Sequence, residues 1–374
     1  MKIYTLLSVI SALLCLAVHL EARTKLVALP DRGKTVIRLD NPAATLIEEE
    51  RILTLQKGIN KIDFSWKGVQ VDADSIRLVP LEHPDKVTLL NVSYPPNEDA
   101  LVWEVFSDQP REERVRISYL LSFIDRLITY TLVADKEEMQ TQFKSHVVLR
   151  NFSGEQFDDA RVVLRHGTPF EQRIENGETL QVLFLKRREV PLHKVWTFDA
   201  AKQPWDPEKL DRNVGIPVSY EIANTEAHAL GTFTLDRGKV RVFQDDGHGS
   251  TIYLGEDQTA PVPVGEDMKI YIGDSRDIVV TQRKMKDEKI NIRRNRNNIV
   301  VLYDTDEIIR AELENFKSRP AELTLLQHIP GQWDMASCNM EYTRKDAATL
   351  EFKVALPANG KKELVMHYHR RNIR

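Results

Sequence analysis

The chain has 374 residues, with 52 Lys and Arg against 56 Asp and Glu, a formal charge of −4. That balance excludes bulk attraction for nucleic acid or an anionic membrane. Hydrophobic residues make up 42% and charged residues 29%, a globular composition that excludes disordered and fibrous classes and allows two or three domains with buried cores.

Residues 1–22 read as a secretory signal peptide. Lys2 precedes a mostly apolar run from Ile3 to Leu20, and Ala22 supplies a small residue before Arg23. The alternative is a retained membrane anchor, because the run approaches spanning length. Leu14 stands before Cys15, where a lipid-attachment box needs a small residue. No later apolar run is long enough for a membrane helix, so no transmembrane segment is expected after cleavage. The expected localisation is periplasmic or secreted. Cleavage leaves Cys338 alone, so no intramolecular disulfide is expected. In MASCNMEY, with no His close by, that thiol reads as a small residue at a strand start rather than a nucleophile.

From Arg23 onward the dominant period is two. TVIRL (35–39), RILTL (51–55), RVRIS (114–118), ARVVLR (160–165), KVRVF (239–243) and AELTLLQ (321–327) all alternate, and turn residues separate them. The pattern predicts an all-β chain, with several antiparallel β-sandwich domains in tandem. Residues 132–144 are the best helix competitor; strand–turn–strand is favoured because ITYTL precedes and HVVL follows. Three domains are expected, at 23–110, 111–208 and 209–374, with the charged, Pro-containing stretch 199–213 as a linker. Near the C-terminus, Leu350, Phe352, Val354 and Leu356 share one face, as do Leu364, Met366 and Tyr368. With PANGKK between them they predict an antiparallel hairpin burying one face.

An ordered series of motifs runs from about residue 115 to 370. It comprises Asn151, Ser153, Gly154 and Glu155; Gly238, Val240, Arg241, Val242 and Phe243; Gly265, Glu266 and Gly273; and Glu314, Asn315, Lys317 and Pro320. The series resembles the bacterial exported proteins that carry the mucoidy-inhibitor-A-like domain of unknown function. Phe157 stands where the family pattern has Trp, and the long coiled-coil insertion of larger relatives is absent. The resemblance implies an envelope-associated β protein with no established activity and no catalytic residues to carry over. Read physically, the glycines mark turns and the asparagines cap them.

Several groups bear chemistry. His367 and His369, at i and i+2 of a strand, can offer two imidazoles to one metal or simply form a solvated face; no third ligand is near in sequence. Asp245 and Asp246, in DDGHGS, suit either calcium or a soluble hairpin tip, so no cofactor is assigned and calcium stays open. Asp304, Asp306 and Glu307 form a second acidic group. RRNRNN (293–298), with Arg283, Lys284, Lys286 and Lys289 nearby, can meet an anionic lipid or polysaccharide or serve as a solvated connection. Trp196 and Trp205, with Phe198 between, can stack on sugars or fasten the linker. No nucleophile elbow, zinc-protease helix motif, Walker loop or dinucleotide fingerprint is present, so whether the chain is an enzyme stays open, with no catalytic residue assigned. The expected function is non-catalytic recognition or assembly in the bacterial envelope, with an envelope protein or polysaccharide as partner and no nucleic acid. The alternative is a secreted polysaccharide hydrolase using an Asp/Glu pair.

Overall fold

The computed structural model describes residues 25–202, 212–213 and 215–374. The signal-peptide segment, Trp205 and most of the expected linker lie outside the described residues. The fold is all-β, as the alternation predicts, with antiparallel-rich sheets and two single-turn 3-10 helices, Ala73–Ser75 and Glu226–His228. Among the described residues no helix is long and apolar enough to cross a membrane. Period-two burial is direct: Thr35, Ile37 and Leu39 point inward while Val36 and Arg38 point out.

The chain divides into two compact units. The first holds the described residues up to Arg126, with Leu149–Leu180. One sheet has the order β1 (Lys25–Val27), β4 (Gly58–Ser65), β7 (Ala100–Ser107), β6 (Val87–Ser93). The other runs β12 (Phe170–Ile174), β11 (Phe157–Leu164), β2 (Thr35–Leu39), β3 (Thr45–Leu55), β8 (Arg111–Leu121), β5 (Arg77–Pro80). Phe64 of the first sheet lies 5.5 Å from the Trp103 ring and 5.9 Å from that of Tyr119 in the second. All three are buried, so the two sheets share a core.

The expected boundary at 110/111 falls inside the first compact unit. β8 pairs with β3 along its whole length, from Thr45 opposite Leu121 to Leu55 opposite Arg111. The stretch Asp108–Pro110 is instead a corner where the chain changes sheet. Ser107 Oγ donates to the Gln109 carbonyl (2.7 Å), and Arg111 pairs with Asp108. β11 then returns parallel to β2.

The second unit holds Leu127–Val148 and Gln181–Arg374, so the division falls inside three long strands. Its first sheet has the order β13 (Glu178–Pro191), β10 (Gln140–Asn151), β9 (Ile124–Ala134), β17 (Gly238–Asp245), β18 (Thr251–Thr259). The 132–144 segment is strand–turn–strand, with Asp135 Oδ1 accepting the N–H groups of Met139 and Gln140. A second sheet runs β19 (Asp267–Ser275), β16 (Ile216–Ala223), β14 (His193–Asp199), β22 (Ala321–His328), β25 (Thr349–Leu356), β24 (Thr343–Arg344). The third runs β15 (Arg212–Asn213), β20 (Ile278–Arg294), β21 (Val300–Asn315), β26 (Lys361–Ile373), β23 (Gln332–Cys338). The second and third sheets enclose one core, with Trp196, Phe198, Leu323, Leu325 and Phe352 against Ile309, Leu313, Leu364, Met366 and Tyr368.

β25 and β26 bury the faces that the alternation predicts, but they are not a hairpin. β25 pairs with β22 and β24, and β26 with β21 and β23. The chain from Pro357 to Gly360 is an arch between facing sheets. Alternation specifies which face is buried and is silent about which neighbour supplies the hydrogen bonds.

Candidate functional site

The motif residues serve architecture first. Asn151 and Asn315 close β10 and β21, and Asn224 follows β16; all three side chains are buried. Asn315 Nδ2 donates to the carbonyls of Arg319 and Pro357 (both 2.9 Å), while Oδ1 accepts the Lys317 N–H (2.9 Å). Asn151 does the same with Glu155, Glu175 and Ser153. Asn224 Nδ2 reaches three carbonyls, of Phe233, Val262 and Pro263. Each asparagine thus supplies the bonds that a departing chain loses when it leaves a sheet. Gly154 adopts φ +89°, and a Cβ there would lie 2.0 Å from the Gly68 carbonyl oxygen. Glu155 pairs with Arg32 (2.7 Å), which also meets the fully buried Glu49 (2.7 Å).

The third sheet assembles the main chemical cluster. β21 and β26 run antiparallel with Asp306 opposite His369 and Ile308 opposite His367. That register puts the i, i+2 histidines and the cross-strand aspartate on one face. His367 Nε2 lies 2.5 Å and His369 Nε2 3.3 Å from the same atom, Asp306 Oδ1. The imidazoles meet edge to face, with centroids 5.2 Å apart and planes at 89°. Lys286 Nζ holds the other oxygen, Oδ2, at 2.6 Å. Hydrogen bonds from Lys286 and His367 hold the Asp306 carboxyl down to about 2. All three donors are half-buried, and their ligand atoms lie within 4.8 Å of one another. The third donor that sequence proximity did not reveal is 61 residues from His367; strand pairing brings it in.

The opposite, core-facing side of the same strands carries a buried polar group as well. Glu307 is buried, with Thr305 Oγ1 (2.6 Å) and Tyr368 Oη (3.0 Å) donating to it and Lys284 Nζ at 3.1 Å. Burial pushes this carboxyl up, but the Thr305 and Lys284 bonds outweigh it and the net displacement is downward. Burial and the Glu307 charge push the Tyr368 phenol up.

Asp245 and Asp246 are not part of the histidine cluster. Asp246 Oδ1 accepts the His248 and Ser250 N–H groups (2.7 and 3.0 Å), and Asp245 Oδ1 accepts that of Gly247 (2.7 Å). Those carboxylates organise their own turn, and the backbone bonds hold the Asp246 carboxyl below its ordinary range. Trp196 is 4% exposed and Phe198 fully buried. They belong to the core, which corrects the sugar-stacking alternative for Trp196. The ammonium groups of Lys194 and Lys317 lie 5.5 and 5.4 Å from the Trp196 ring centre. Burial pushes the Cys338 thiol up, which disfavours a thiolate.

The basic run divides in two. Lys284 and Lys286 are engaged by Asp287, Glu307, Asp306 and Glu288. Farther out, β26 pairs with β21 only as far as Tyr303, while β20 and β21 continue to Arg294 opposite Val300. The result is a two-stranded ribbon whose tip exposes Arg293, Arg294 and Arg296 beside Ile292, Ile299 and Val301. Asn295 Oδ1 closes its turn by accepting the Asn297 and Ile299 N–H groups.

In the first unit, the outward face of β11, β2, β3 and β8 carries a groove of about 370 Å³. Arg38 pairs there with Glu48 (2.7 Å) and Arg116 with Glu50 (3.1 Å), beside Lys34 and Arg161. Comparison with protein-family models finds no match, and comparison with curated proteins finds none either.

Proposed function

We propose that the chain is an exported, non-catalytic β-sandwich protein of the bacterial cell envelope that recognises an anionic envelope polysaccharide or assembles with an envelope protein. The ribbon tip is the observation that carries the recognition half. Arg293, Arg294 and Arg296 stand exposed on a projecting two-stranded element with apolar neighbours, suited to carboxylate or phosphate groups on a polymer. The apolar N-terminal run and the motif resemblance support the export half. A hydrolase asks for two carboxylates about 5–10 Å apart across a cleft. Glu48 and Glu50 share a groove, but each is engaged by an arginine, so that geometry favours recognition.

The test is co-sedimentation with isolated envelope polymer at low and high salt. The native chain should pellet in a salt-sensitive manner. A variant with R293E, R294E and R296E should lose at least about tenfold in retention. Equal retention of both proteins would overturn the ribbon as the recognising element. Sequencing the native protein's N-terminus should return a start near Arg23; a start at Met1 would count against export with cleavage.

A further inference from the structure

We propose that Asp306, His367 and His369 form a binding site for one divalent first-row transition metal ion, with zinc the best match. Two imidazole nitrogens and one carboxylate oxygen form a borderline donor set that favours Zn²⁺, Ni²⁺ or Cu²⁺ over Ca²⁺ or Mg²⁺. Convergence is the central observation. Both Nε2 atoms lie close to one oxygen, at 2.5 and 3.3 Å. A zinc ion with bonds of about 2.0–2.2 Å needs donors roughly 3–3.5 Å apart. The His369 separation already meets that. The His367 pair opens by about half to one ångström when the shared proton gives way to a metal.

The frame is rigid. β21 is paired on both sides, by β20 and β26, and β26 by β21 and β23. The backbone positions of all three ligands are therefore set before any ion arrives. Lys286 grips Oδ2 and turns Oδ1 toward the histidines, the orienting role that outer groups play around metal ligands. Its charge tempers affinity and does not block the ligand atom. The His367 and His369 side chains are 31% and 39% exposed. Three protein ligands thus leave a solvent-facing position for water, an open rather than a closed site. The site is separate from the ribbon tip, and neither depends on the other.

The experiment titrates ZnCl₂ into the untagged mature chain by calorimetry, with Co²⁺ absorption as a second readout. One ion per chain is expected, with visible Co²⁺ bands of a low-coordinate nitrogen–oxygen site. H367A, H369A and D306N should each weaken binding by more than the roughly 10- to 100-fold that losing a group behind the ligands costs. C338S and H248A should leave it unchanged, which separates this site from the thiol and from the 245–250 turn. Unfolding curves for each variant verify that the fold persists; because the three side chains lie outside the core, they should. Absence of stoichiometric zinc binding, retention of binding by the H367A/H369A double variant, or its loss in C338S would each overturn the assignment.

Discussion

Phe352 is fully buried between two facing sheets, with the Tyr342 ring centre 5.8 Å away. Phe352→Ala leaves a cavity and should cost roughly 3–5 kcal/mol. His367 is half-exposed on the opposite side of the neighbouring sheet, so His367→Ala should cost less than about 1 kcal/mol. Urea unfolding of both variants measures the contrast, and the reverse order would show that the faces are exchanged. Glu113 gives a pH dependence. Its fully buried side chain accepts the Glu82 and His83 N–H groups (2.9 and 3.0 Å) and meets His83 Nδ1 at 2.8 Å. Burial opposes the charge, but these bonds prevail and hold the folded carboxyl below 4.5. The stabilisation is therefore present above that unfolded value and lost as pH falls through the lower folded one. Glu113→Gln should flatten the acid side of the stability–pH curve, read from thermal midpoints between pH 3 and 6, on the order of the range in which carboxylates titrate. The facing of these residues was legible because alternation reports burial directly. Asp306 was not legible as a partner of the histidines, since nothing local encodes a pairing 61 residues away.

The buried asparagines are the recurring device at the level of strands. Asn315→Ala would orphan the Arg319 carbonyl and the Lys317 N–H, and would leave the Pro357 carbonyl only its bond from the Gly360 N–H. A loss of at least about 2 kcal/mol is expected, and amide exchange should accelerate first in the Pro357–Gly360 arch. Unchanged exchange there would show that the arch is held by other contacts. The sequence carries a sign of this device that its motifs only half revealed. Asn151-Phe152 and Asn315-Phe316 each end a strand and precede an alternating run, which places β11 and β22 in a different sheet from β10 and β21. The same limit accounts for the C-terminal pair. PANGKK has turn composition, yet a hairpin and an arch share it, and only the neighbours on either side decide between them.

Across the whole molecule, the division into units follows pairing rather than linkers. Strand β14 lies between β16 and β22 and delivers Trp196 and Phe198 to the core. A fragment of residues 209–374 lacks it, although composition alone would cut the chain there. That fragment should show no cooperative thermal transition by near-ultraviolet circular dichroism, whereas the mature chain should. A cooperative transition in the fragment would show that the sheet closes without its middle strand. Strand content was legible because alternation is local. The interleaving was not, because a boundary inside β9, β10 or β13 leaves no break in composition. Among the described residues, the parallel pairings β1–β4, β2–β11, β14–β22 and β9–β17 join segments far apart in sequence. The last of them sets a timetable. A ribosome adding about 5–20 residues per second needs roughly 5–20 s to travel the hundred or so residues from Ala134 to Gly238. For that interval one edge of β9 has no partner, and Tyr130 and Leu132 lack their lateral neighbours Val240 and Val242. An open edge invites foreign strands, so the newborn chain is exposed to misassembly while β17 is still being made, and a chaperone would find its moment there.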